Sequence, residues 1–72
     1  MLNCLDLRGV RCPLSWAKAK VYLEELPPGT EANLILDDPK GVRDIPRAAE
    51  AEGYAVIDVE RRAQDWRIVI HK

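Results

Sequence analysis

A cysteine flanked by arginines is the clearest candidate for chemistry in this chain. Cys12 follows Arg8, Gly9 and Arg11 and precedes Pro13, in a segment typical of a turn from a strand into a helix. A thiol at a helix start feels the unpaired N–H groups and the positive end of the helix dipole. Neighbouring arginines add to that potential, and together they favour the thiolate, the form that attacks sulfur. The pattern predicts that any chemistry of this protein is done by Cys12.

Two alternatives stay open around this cysteine. Free cysteines are often buried and inert, and Cys12 could fill such a place between the strand and the helix. Its polar flanks favour a reactive role instead. Arg8 and Arg11 are either solvated surface charges or groups that tune the thiol and dock an acidic partner. The sequence alone does not choose between these two roles.

A second cysteine bears on any sulfur chemistry, because a thiol within reach would discharge a persulfide as a disulfide. Cys4 lies in the alternating pattern of the first strand, and we expect it to be a core residue rather than a resolving thiol. A redox switch that uses Cys4 and Cys12 is the least favoured interpretation. Two cysteines without a C-x-x-C spacing are also too few for a disulfide-stapled secreted scaffold.

Three residues of the first helix are candidates for partner binding. Trp16 is expected to pack in the core or at its rim, and would contact a partner if it were exposed. Lys18 and Lys20 could extend a docking face, although a solvated helix face is the favoured interpretation for both.

The remaining polar groups favour structural roles. Asp37 and Asp38 lack a nearby histidine, so helix capping is preferred over a metal site, and Asp44 is interpreted in the same way. His71 is the only histidine and stands next to the last residue, which makes a catalytic base improbable.

Length and charge limit the classes of function. Seventy-two residues with a net charge of −1 predict one small domain, residues 1–72, with no basic field for nucleic acid. No apolar run approaches the ~20 residues of a membrane span, and the start lacks a secretion signal. We therefore expect a cytoplasmic protein with reduced thiols, no cofactor and no metal, monomeric by default.

Apolar periodicity and turn residues predict the order βαβαββ. The expected strands are 2–7, 31–37, 55–60 and 66–71, and the expected helices are 13–26 and 39–52 with Gly53 as C-cap. Pro46 leaves two interpretations of the second helix: either Asp38 caps it and Pro46 kinks it, or it begins at Pro46 with Asp44 as cap. We predict a two-layer α/β sandwich, with a four-stranded mixed sheet, an antiparallel hairpin at its end, and both helices on one face.

Several short motifs occur in order over nearly the whole chain. They are Leu5-Asp6-x-x-Gly9-x-x-Cys12-Pro13, Gly29, Asp37-Asp38-Pro39, Asp44-Ile45-Pro46 and Gly53-Tyr54. This order strongly resembles the TusA/SirA family of small sulfur-carrier proteins. The resemblance implies a fold like that of the C-terminal domain of translation initiation factor three. It also implies that Cys12 relays persulfide sulfur from a cysteine desulfurase or rhodanese-type donor to an acceptor protein.

One position departs from the family motif. The family has Cys-Pro-x-Pro, whereas this chain has Ser15 in place of the second proline. Serine can occupy the first turn and offers its hydroxyl to a backbone group, but it constrains the chain less and aims the thiol less rigidly.

The main hypothesis is a sulfur carrier, sulfurtransferase-like but acting as one step of a relay, so that it is an enzyme only in a loose sense. A non-catalytic interaction or regulatory module of the same fold is the alternative. The pathway stays open among tRNA thiolation, molybdenum-cofactor biosynthesis, sulfur oxidation and thiosulfate uptake.

Overall fold

The expected six elements are all present. The computed structural model describes residues 3–11 and 14–72. Its elements are β1 Asn3–Asp6, α1 Leu14–Glu25, β2 Glu31–Leu36, α2 Pro39–Ala51, β3 Ala55–Arg61 and β4 Trp66–His71. The βαβαββ order is confirmed, and within the described residues the ends of the elements lie within one residue of the expected ones. Pro13, the expected first residue of the first helix, lies outside the described residues.

The four strands form one mixed sheet in the order β1-β2-β4-β3. β1 and β2 are parallel, whereas β4 is antiparallel to both β2 and β3, so the predicted hairpin is confirmed. Both helices cover the same face, as predicted. Because the parallel neighbours β1 and β2 each lead into a helix, α1 and α2 begin at the same end of the sheet.

The core lies between this face and the two helices. β2 is a central strand and is buried from its second residue onward, as its continuous apolar run predicts. The cluster of buried core residues consists of Leu7, Ala19, Leu23, Ala32, Leu34, Leu36, Ile45, Ala49, Ile68 and Ile70.

α2 has well-formed ends. Asp38 is its N-cap, with the Lys40 N–H donating to Asp38 Oδ1 at 3.2 Å, and Pro39 occupies the first turn. Pro46 lies inside the helix, so the alternative in which Asp44 caps a helix starting at Pro46 is wrong. The carbonyl that a residue at position 46 would bind receives no such bond, because proline has no N–H.

The other end of α2 closes with a Schellman motif. The C-cap is Glu52 rather than the expected Gly53, which follows it with a φ of 92°. The Tyr54 N–H donates to the Ala49 carbonyl at 3.0 Å, and the Gly53 N–H to the Glu50 carbonyl at 3.0 Å. The left-handed conformation that this motif needs explains the glycine.

Trp66 is half-buried at the start of β4, and the Arg61 guanidinium lies 4.8 Å from its ring centroid, which is a cation–π contact at the edge of the sheet.

In the described part of the chain, none of the helices has the length and apolar character needed to span a membrane.

Candidate functional site at the turn between β1 and α1

The two residues at the centre of the predicted site, Cys12 and Pro13, lie outside the described residues. The chain on either side of them is described. The Ser15 N–H donates to the Arg11 carbonyl at 3.1 Å, a helix-type bond from residue i to residue i−4. The helical hydrogen bonding of α1 therefore reaches back to the residue that precedes Cys12.

Arg8 is paired within the fold. Its Nε and Nη2 donate to the two carboxylate oxygens of Asp6 at 2.9 and 2.8 Å, and its backbone N–H donates to Asp6 Oδ1 at 3.0 Å. These hydrogen bonds lower the pKa of Asp6 from 3.8 to about 2. The charge that Arg8 was expected to direct at the thiol is largely compensated by this carboxylate.

Gly9 joins the turn to the loop that precedes α2. Its φ is 83°, and its N–H donates to Asp37 Oδ1 at 2.9 Å. Asp37 and Asp38 therefore have different functions, since only Asp38 caps α2. No local signal indicates the role of Asp37, because its partner is 28 residues away. The described residues contain no cluster of three or more potential metal ligands.

An open cleft of about 290 Å³ lies between these two loops. Arg11 is exposed, and among residues 3–11 and 14–72 no carboxylate forms an ion pair with it. The described residues that line the cleft are Gly9, Val10, Arg11, Asp37, Asp38 and Pro39.

Ser15 is completely buried, at 0 % exposure, and its Oγ has no hydrogen-bond partner in the described part of the chain. The expectation that its hydroxyl binds a backbone group is therefore wrong. The hydroxyl points to the crossing of the two helices, where a Cβ on Gly41 would lie 3.4 Å from Ser15 Oγ. Its backbone N–H, which the family's proline lacks, binds the Arg11 carbonyl, so serine adds a bond to the first turn.

The three partner-binding candidates of α1 differ in environment. Trp16 is half-buried against the core, as expected for a rim residue. Lys20 forms a 2.7 Å ion pair with Glu52, and the pKa of Lys20 is raised by this hydrogen bond and by the carboxylate's charge. Lys20 thus ties α1 to the end of α2, whereas Lys18 is exposed.

Cys4 is exposed, so the expectation that it is a core residue is wrong. Side chains alternate along β1, and Leu5 is the one that packs against the core. Cys4 and Asp6 therefore share the opposite face of the sheet, which no helix of the described residues covers. Burial raises the pKa of Tyr22, and the nearby Cys4 thiol adds to this shift.

Comparison with known proteins agrees with this fold. The family model described as sulfurtransferase TusA matches residues 3–72. An Archaeoglobus fulgidus protein classed as a sulfur carrier is 41% identical over 69 residues, which cover 94% of this chain and 78% of that protein. The sulfur carrier protein TusA of Buchnera aphidicola is 27% identical over 70 residues, which cover 97% and 89%.

A solved structure has the same architecture. The SirA-like protein of Desulfitobacterium hafniense superposes with a TM-score of 0.81 at 24% identity, covering 96% of this chain and 95% of the other. The mixed sheet with both helices on one face is thus that of the SirA-like proteins. The chain belongs to the sulfurtransferase TusA family.

Proposed function

We propose that this protein is a sulfur carrier in which Cys12 accepts a sulfane sulfur and passes it to an acceptor protein. The observation that carries the proposal is the family match over residues 3–72, which includes the Cys12-Pro13 pair immediately ahead of α1. In the sequence, Cys12 follows Arg11, which has no ion-pair partner among residues 3–11 and 14–72, and precedes α1, and a thiolate is favoured beside a cation and a helix start.

The charges of α1 are suited to this function, although the helical residues of α2 have the same arrangement. The first turn of α1 carries no acidic residue, and its last turn, which includes Glu24 and Glu25, carries no basic residue. Helices are stabilised by the opposite arrangement, acids at the start and bases at the end. Leaving acids out of the first turn keeps the local potential positive, which suits a thiolate or a persulfide anion.

The transfer is an exchange between sulfur atoms without net oxidation. The Cys12 thiolate attacks the outer sulfur of a donor persulfide, the donor's S–S bond breaks, and the donor leaves as a thiolate. The proton on the outer sulfur stays with it, so Cys12–S⁻ and donor–S–SH become Cys12–S–SH and donor–S⁻. Delivery to an acceptor thiolate is the same exchange with Cys12 as the leaving group.

We extend the proposal to the partners of the carrier and to the setting in which it acts. A cysteine desulfurase or a rhodanese-type sulfurtransferase supplies the sulfur, and another relay protein accepts it. We propose that residues 1–72 act as one carrier domain in the cytoplasm, as a monomer and without a cofactor. The pathway, whether tRNA thiolation or another sulfur route, is set by the acceptor.

The direct test is the intact mass of the protein after incubation with a donor. Wild type should gain one sulfur atom, and a reducing agent should remove it. Cys4→Ala, which removes an exposed thiol, is the matched control and should still gain the sulfur. A Cys12→Ala variant that gains the same adduct, or a wild type that gains none, contradicts the proposal.

A further inference from the structure

β3 forms one outer edge of the sheet. The strand order β1-β2-β4-β3 leaves β1 and β3 at the two ends, and β3 has seven residues whereas β1 has four. All residues of β3 except Val56 are exposed. Because no strand of the described residues lies beyond β3, the backbone N–H and C=O groups on its outer side are a template for another strand.

This edge also exposes apolar side chains. Ile57 is 52% exposed and Val59 is 44% exposed. The pairing with β4 passes from Val56 directly to Asp58, so Ile57 is the extra residue of a bulge. The regular part of the edge therefore runs from Asp58 to Arg61. Within it, an added strand would cover Val59, which is the partner of the core residue Ile68 and lies on the side of the helices.

The same four residues carry acidic groups on the other face of the sheet. Asp58 and Glu60 alternate with Val59, so they lie on the face that neither helix covers. Asp58 is exposed and forms no ion pair with any residue in 3–11 and 14–72. Glu60 contacts Arg67 at 3.3 Å, but its side chain is still 51% exposed. The outer edge of β3 is thus acidic on one face and apolar on the other.

These charges prevent the edge from pairing with itself. In a two-fold antiparallel pair, residues directly opposite each other lie on the same face. An axis at Asp58 places two Asp58 side chains opposite each other, and an axis at Val59 places Asp58 opposite Glu60. An axis at Glu60 or at Arg61 also brings two copies of that residue together. Every such register sets like charges directly opposite, which is destabilising, so the edge fits a strand of opposite charge.

We propose that the outer edge of β3 binds an extended segment of a partner protein, which adds to the sheet as a fifth strand. The segment has a basic-apolar-basic pattern. Its basic side chains face Asp58 and Glu60, and the apolar side chain between them packs beside Val59. Backbone hydrogen bonds supply affinity in this mode of recognition, and the alternating side chains supply specificity.

The position of this edge separates it from the sulfur site. Neighbouring strands lie about 4.8 Å apart, so β3 is about 14 Å across the sheet from β1. A segment bound beyond β3 leaves the turn between β1 and α1 open. The edge therefore holds a partner without using Cys12, and this proposal does not depend on the carrier function.

The test uses a short β-hairpin peptide with an Asn-Gly turn, whose outer strand alternates lysine and valine. The turn holds the strand extended before binding, which lowers the entropic cost. A hairpin with glutamate in place of lysine is the control peptide. Binding is followed by amide NMR shifts and by hydrogen exchange of the amides of β3. The protein is used as wild type, as Asp58→Lys with Glu60→Lys, and as Glu25→Lys with Glu50→Lys, which makes the same charge change at exposed sites elsewhere.

The lysine hairpin should shift the amides of residues 58–61 most and slow their hydrogen exchange. The charge reversal in β3 should weaken its binding about tenfold, because two opposite-charge pairs become like-charge pairs, whereas the control reversal should change it little. The glutamate hairpin should not bind to wild type and should bind to the β3 variant.

Three results would overturn the proposal. One is the absence of binding of the lysine hairpin at millimolar concentration. Another is binding that leaves the exchange of the β3 amides unchanged or that both charge reversals weaken equally, since this would be a non-specific attraction. The third is slowed exchange of the β3 amides in wild type at high protein concentration without peptide, which would assign the edge to a second copy of the chain.

Discussion

The two helices of this protein occupy equivalent places but are built differently. Each follows one of two parallel strands, and each packs on the same face of the sheet. α2 has a carboxylate N-cap, a proline in its first turn and a Schellman end, and its apolar residues face the core. α1 differs in having large apolar residues exposed on its outer surface, whereas neither helix has an acidic residue in its first turn or a basic residue in its last turn.

The two helices therefore have different roles: one stabilises the fold, and the other carries the candidate site. The features of α2 are those that stabilise a helix in a small domain, where a few kcal/mol decide folding. α1 instead exposes apolar side chains, Leu14 and Val21, on its outer surface, and in sequence it follows directly after the Cys12-Pro13 pair. We infer that α2 holds the fold while α1 displays the site.

The largest expected effect is a loss of stability caused by a substitution on the core side of α2. Ile45 is fully buried, so Ile45→Ala should cost about 3 kcal/mol of the free energy of unfolding. Denaturant unfolding measures the loss, with the exposed Glu50→Ala as control. The fraction that stays folded should load sulfur normally, and folded protein without sulfur loading would contradict the division.

The cap of α2 should give a smaller loss. Asp38→Ala removes the acceptor for the Lys40 N–H and should cost about 1 kcal/mol. Asp38→Ser keeps a capping oxygen and should recover most of this in the same unfolding experiment. Equal losses in the two variants would show that the cap does not account for the effect.

At the crossing of the two helices we expect a substitution that increases the stability of the protein. Ser15→Ala removes a buried hydroxyl that makes no hydrogen bond in the described residues, so it should stabilise the protein by about 1 kcal/mol. The backbone bond to Arg11 is kept, and persulfide loading should not change. A destabilised Ser15→Ala would mean that the hydroxyl has a favourable contact.

The smallest effect concerns the ion pair at the end of β1. The pKa of Asp6 is about 2 in the folded protein and 3.8 without its partner. Because the folded value is the lower one, the pair stabilises the fold above about pH 4, and this contribution is lost as the pH falls towards 2. Asp6→Asn should lack that part of the acid-induced loss in an unfolding series from pH 5 to about 2. An unchanged pH dependence would contradict the pairing.

Local patterns predicted the elements well and the long-range contacts poorly. The apolar run of β2 and the short polar link at 61–65 were sufficient to predict the central strand and the hairpin. The predicted face for Cys4 was wrong, because period-two alternation does not say which face of a strand is covered when apolar residues occur on both faces. The bond from Gly9 to Asp37 joins two loops far apart in sequence, so only the parallel pairing of β1 with β2 brings it about.

The ion pairs around the candidate site were also not predictable from local patterns. Arg8, Arg11, Lys18 and Lys20 look alike as basic residues near Cys12, but two of the four have carboxylate partners that the fold supplies. Cys12 was identified by its motif and lies outside the described residues.

The central claim is that the start of α1 keeps Cys12 ionised, and the rate of its alkylation by iodoacetamide against pH tests this most directly. Peptide mapping separates Cys12 from the exposed Cys4 in the same molecule, which corrects for the reagent. We predict a midpoint for Cys12 clearly below the ordinary thiol value of ~8.5, and a shift upward in Arg11→Glu. A midpoint at or above ~8.5 that Arg11→Glu does not move would contradict the account.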